Sequence, residues 1–87
     1  MSDVVYERAI AVADATGRRF DLVRVHAEEQ AGGTWAGWIE FRSAEGESVA
    51  TERETTQSHR AGVAYWASGL EPVFLQGALA RALARQR

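Results

Sequence analysis

Hydrophobic positions along the first 55 residues follow the two-residue period of pleated strands. Between Arg19 and Glu29, Phe20 and Leu22 fall on one parity, and Val23, Val25 and Ala27 on the other. Val4 to Ala13 is rich in valine, isoleucine and alanine, and Thr34 to Arg42 carries Trp35, Trp38, Ile39 and Phe41, all suited to a pleated, half-buried surface. Glu47 to Thr55 reads as a fourth, more polar strand. Asp14-Ala15-Thr16-Gly17, Gln30-Ala31-Gly32-Gly33 and Ser43-Ala44-Glu45-Gly46 separate the four runs as turns. Short loops between successive strands predict an antiparallel meander.

After Gln57 the period changes. His59, Val63, Trp66 and Leu70 recur at spacings of four, three and four, one stripe of a helix. Ser58 is the expected N-cap, with Thr55 or Thr56 as substitutes. Gly69 suits a left-handed C′ position, with Leu70 as the hydrophobic contact that follows it. Pro72 ends this helix, because the residue before proline is pushed toward extended geometry. Val73-Phe74-Leu75 is expected to be extended, leaving 72–76 as the ambiguous stretch, and Gln76 to Gln86 to be helical, with Leu75, Ala78, Leu79, Ala82 and Leu83 as its apolar stripe.

Centring the second hairpin on Gly32-Gly33 sets Val25 against Ile39, Val23 against Phe41, Arg24 against Glu40 and His26 against Trp38. Apolar pairs then share one face and a charge pair the other. Continuing through the other hairpins places Thr51 near Ile39, Val49 near Phe41, and Ile10 and Val12 on the apolar face. The expectation is a single α+β domain over 1–87: a four-stranded antiparallel meander followed by one or two C-terminal helices packed on one face. The other face carries Ala9, Ala11, Leu22, His26 and Trp38 among Glu7, Arg24, Glu40 and Glu52. Arg24, His26, Trp38 and Glu40 form the candidate partner-binding surface, since tryptophan and arginine are favoured interface anchors. The competing arrangements are cover by the last helix, or a sheet curled into a small barrel.

Composition narrows the function classes. At 87 residues the chain has room for one small core. Cysteine is absent, which excludes disulfides, thiolate metal sites and cysteine nucleophiles. Every one of the ten basic residues is arginine, and lysine and asparagine are missing, a bias of GC-rich coding that points to a bacterial source. No apolar run suits a membrane span and no signal-peptide pattern opens the chain, so a cytoplasmic protein is expected. The net charge of −2 is split: 1–57 holds eleven acids and six arginines, 58–87 one acid and four arginines. Arg81, Arg85 and Arg87 could touch phosphates, but the acidic sheet half opposes a nucleic-acid partner.

Catalytic chemistry is thinly supported. His26 and Glu28 share a strand face and could give a metal two ligands, with Glu7, Glu40 or His59 as a third, but no fixed ligand spacing backs this. Ser58 and His59 are adjacent on the chain, so their side chains diverge. Gly32-Gly33 lacks the lysine of a phosphate loop. The expectation is a small non-enzymatic protein-interaction module that associates with itself and needs no cofactor. The alternative is a small-ligand domain with a pocket between sheet and helix lined by Trp35, Tyr65, Trp66 and Phe74.

Overall fold

A computed structural model describes residues 2–86. Strands β1 (Asp3–Ala13), β2 (Arg19–Glu29), β3 (Trp35–Arg42), β4 (Ser48–Ala50) and β5 (Thr55–Gln57) precede helices α1 (Arg60–Ser68) and α2 (Pro72–Ala84). The sheet is antiparallel in the order β1-β2-β3-β4, with β5 pairing β3 beyond β4. Both helices lie against one face, so the molecule is a two-layer α+β domain.

The three hairpins share one design. In each, the amide of one residue donates to the carbonyl of the residue four positions on, and the amide of the glycine three positions on donates to the first residue's carbonyl. The sets are Asp14/Arg18/Gly17, Gln30/Thr34/Gly33 and Ser43/Glu47/Gly46. Gly17, Gly33 and Gly46 all have φ near +88° (87°, 89° and 89°), the left-handed region that a three-residue loop ending in glycine requires. These loops fix the register. Val25 lies opposite Ile39, Val23 opposite Phe41, Arg24 opposite Glu40 and His26 opposite Trp38, as the alternation predicts. Phe41 pairs with Val49, and the Thr51 amide donates to the Ile39 carbonyl.

The core under the helices contains Val12, Phe20, Val23, Val25, Ala27, Ile39, Phe41, Val49, Val63, Ala67, Leu75, Ala78, Leu79 and Ala82. Two bulges give β1 an extra residue, one between Val4 and Tyr6 and one between Ala9 and Val12. The first lets the consecutive residues Val5 and Tyr6 both pack on the core. Past the second, Val12 pairs with Phe20 and both are buried. Phe20 therefore leaves the parity it shares with Leu22, a departure from simple alternation.

The single fourth strand expected over 47–55 is two strands. Thr51 is the only buried polar residue described, and its hydroxyl oxygen accepts the Ile39 amide where a strand carbonyl would stand. Glu52 and Arg53 loop outward, and the ladder resumes when the Glu54 amide donates to the Gly37 carbonyl. Gly37 opposes Thr55, and a Cβ there would sit 2.7 Å from Val63 Cγ1 and 2.9 Å from Thr55 Cγ2. Glycine at 37 thus lets α1 and β5 close over β3.

The helix boundaries also differ from expectation. His59, not Ser58, is the N-cap of α1, in extended conformation and without a side-chain cap. Gly69 has φ −97°, so α1 ends without a left-handed residue, and the amides of Gly69 and Leu70 close the last turn on Trp66 and Ala67. Val73-Phe74-Leu75 is helical, because Pro72 occupies the first helical position, where its missing N–H costs nothing. Leu75 is buried while Val73 is exposed.

Gly37→Ala is expected to destabilise the fold by about 1–3 kcal/mol through overpacking against Val63 and Thr55, measured by urea unfolding. Thr51→Val should cost about 1–3 kcal/mol by orphaning the Ile39 amide, while Thr51→Ser should recover most of the loss.

Candidate docking surface on the open sheet face

The register that sends Val23, Val25, Ile39 and Phe41 under the helices sends Leu22, Arg24, His26, Trp38, Glu40 and Arg42 to the opposite face. Neither helix covers that face. The four partner-binding residues expected from the sequence come together at its centre. His26 and Trp38, directly cross-strand, lie with their rings 3° from parallel and centroids 5.4 Å apart. This is an offset stack rather than a face-to-face sandwich.

Glu40 organises the charges around the stack. Its Oε1 accepts a hydrogen bond of 2.8 Å from His26 Nε2, and its Oε2 one of 2.7 Å from the Ser48 hydroxyl. An ionised carboxylate only accepts, so the proton of this contact sits on Nε2. Arg24 Nη1 is 3.9 Å from Oε1, while Arg24 Nε donates to Glu7 Oε2 at 2.8 Å. Arg42 Nε approaches Oε2 at 3.3 Å but is not aligned as a hydrogen-bond donor, and this nitrogen is closed off from water. The side chains of Glu40 and His26 are only 14% and 18% exposed, although nothing from the other layer lies over them. Their neighbours on the sheet supply the cover.

Burial pulls the Glu40 carboxyl upward in pKa. Hydrogen bonds from Ser48 and His26, with the charges of His26 and Arg42, outweigh that and hold it below the ordinary 4.5. Arg24 is shifted further upward, chiefly by its hydrogen bond to Glu7. The row Glu7, Arg24, Glu40 thus reads negative, positive, negative across β1, β2 and β3. Trp38 also walls a wide, shallow depression of about 470 Å³, shared with Glu28, Gln30, Ala36, Glu52 and Arg53. Glu52 was expected on this face from the sequence; Arg53 beside it was not, since its place depends on the break in the ladder after Thr51.

The structure places the residues proposed for a pocket between sheet and helix in different surroundings. Tyr65 is 83% exposed. Trp66 meets Phe74 edge-on at 6.1 Å, and Trp35 and Trp66 pack against the core. The terminal arginines are also largely engaged: Arg81 forms a two-pronged pair with Glu54 at 2.6 and 3.0 Å, and Arg85 donates to the Ala50 carbonyl. Arg87 lies outside the described residues. His26 faces Glu40 and His59 caps α1, and among the described residues no three histidine or acidic side chains are grouped to hold a metal.

No family model, curated protein or solved structure matches the chain. Among the described residues no helix is long and apolar enough to cross a membrane.

A depressed carboxyl pKa stabilises the fold above the unfolded value and loses that contribution as pH falls through the folded one. Unfolding free energy should therefore drop as pH is lowered from 4.5 downward. Glu40→Gln should flatten part of that drop, measured by urea titrations at stepped pH. Persistence of the full drop in Glu40→Gln would remove Glu40 as its source.

Proposed function

We propose that the chain is a small, non-enzymatic protein-interaction module that associates with a second copy of itself through the open sheet face. The observation that carries this reading is the stacked His26–Trp38 pair at the centre of a sheet face that no helix covers. A tryptophan there offers a large rigid surface whose burial costs little side-chain entropy. The surrounding charges are already paired within the sheet, which reduces the number of unsatisfied groups a partner must answer.

Charge favours a second copy as the occupant. The face presents both signs in alternation, Glu7, Arg24, Glu40 and Arg42, rather than the single-signed field that suits a polyanion or a strongly basic peptide. A surface carrying both signs is complementary to itself, as a two-fold dimer requires. A domain with so small a core also gains stability by association. The setting we propose is the bacterial cytoplasm, supported by the arginine-only, cysteine-free composition.

Sedimentation velocity between one and a hundred micromolar tests this. The wild type should pass from monomer to dimer across the range. Trp38→Ala should shift the midpoint at least tenfold upward while far-ultraviolet circular dichroism is unchanged. A monomer throughout would reject self-association. Loss of the folded spectrum in Trp38→Ala would instead assign the ring a folding role.

A further inference from the structure

We infer that the two copies pack about a two-fold axis running along the strands, midway between β2 and β3, so that β2 of each lies over β3 of the other. This deepens the self-association reading and rests on it.

The argument begins with the register. Arg24 and Glu40 are level on adjacent strands, and so are His26 and Trp38, and Leu22 and Arg42. A half-turn about an axis lying in the contact plane, parallel to the strands and between these two columns, exchanges the columns and keeps the levels. Arg24 then faces the partner's Glu40, Glu40 faces the partner's Arg24, and each His26 faces a Trp38. Charges meet opposite charges twice, and the two aromatic pairs meet at one level. Packing with strand directions nearly aligned is also the ordinary geometry of two stacked sheets.

Other placements of the axis do worse. An axis directly over β2 sets Arg24 against Arg24, and one over β3 sets Glu40 against Glu40, placing like charges in contact. An axis across the strands, along the level of Arg24 and Glu40, does both. An axis between β1 and β2 matches Glu7 with Arg24, but it moves Trp38 past the outer edge of the partner's β1, since β1 is the edge strand. The aromatic pair would then lose its cover. Of these placements, the axis between β2 and β3 is the one that both matches the charges and centres the rings.

This arrangement places β1 of one copy over β4 of the other. Ala9 and Ser48 are both exposed. Ala9 is level with Leu22 through β1–β2, and Leu22 is level with Arg42 and hence Ser48 through β2–β3 and β3–β4. Ala9 of one copy therefore lies over the partner's Ser48. Cysteines at position 9, or at position 48, on the two copies stay three strand spacings, about 14 Å, apart sideways, whereas those at position 22 on β2 are only one spacing apart.

The chain has no cysteine, so each introduced thiol is unique. Ala9→Cys, Leu22→Cys and Ser48→Cys are prepared separately, checked by circular dichroism and treated with a short bis-maleimide, alone and in pairs, at a concentration where sedimentation shows the wild-type dimer. The expected result is cross-linked dimer from the Ala9→Cys and Ser48→Cys mixture, several-fold above either variant alone. Cross-linking that instead peaks in the Ala9→Cys and Leu22→Cys mixture puts the axis between β1 and β2 and overturns this arrangement while leaving self-association standing. Equal yields in every mixture, from variants that still form the dimer, also overturn it, because no face-to-face pairing is then preferred. A wild type that never dimerises removes the self-association reading itself.

Discussion

The pairing of Val25 with Ile39 is the constraint from which the rest of the molecule follows. Side chains on a strand alternate with a period of two, so this one register decides which row meets the helices and which meets the surroundings. A slip of one residue between the two strands would bring Trp38 and Glu40 of β3 under the helices and turn the fully buried Ile39 and Phe41 outward, or do the same to Arg24 and His26 against Val23 and Val25 of β2. The burial of unpaired charges alone makes that state unreachable. The register is held locally as well. Three loops with one hydrogen-bond pattern, each ending in a glycine with positive φ, hold the flanking strands in register. Local turn chemistry and global burial therefore select the same structure.

That constraint also concentrates polar groups on the open face, where Glu40 satisfies several at once. It accepts from His26 and Ser48 and lies within ion-pair distance of Arg24 and Arg42. Such a network orients its members without a covering layer. It holds the His26 ring parallel to Trp38 and gives the centre of the face a fixed shape. A preformed surface loses less entropy on docking than one that must order first. In the self-association we propose, the same rigidity matters: Arg24, His26 and Glu40 are already hydrogen-bonded within the sheet. On the opposite side of the sheet, Arg81 with Glu54 and Arg8 with the Leu70 carbonyl tie the helices to the strands.

Much of this was legible in the amino-acid order, and the reasons differ by element. The β2–β3 pairing followed from strict alternation and a glycine pair at the turn, both local signals. The open-face residues followed from that pairing by parity alone. Three features escaped, two because their causes are not local and one because a local signal has two readings. The split of the fourth strand depends on the Thr51 hydroxyl replacing a strand carbonyl toward Ile39, twelve positions away. The burial of Phe20 accompanies a bulge in its neighbour β1, and the alternation within β2 does not record it. The helical state of Val73 to Leu75 turned on reading Pro72 as a terminator, when the same ring also suits the first helical position. The hydrogen bonds that centre on Glu40 were only partly visible: parity brought His26 and Arg24 near it, but Ser48 joined through the third hairpin.

The most direct test of the central claim observes the rings themselves. The protein's three tryptophans, labelled with 5-fluorotryptophan, give fluorine resonances that single-site replacement by phenylalanine assigns. On dilution through the association range, the account predicts that the Trp38 resonance moves while those of Trp35 and Trp66, packed against the core, stay in place. A Trp66 resonance that moves while Trp38 stands still, or three resonances indifferent to concentration, would contradict it.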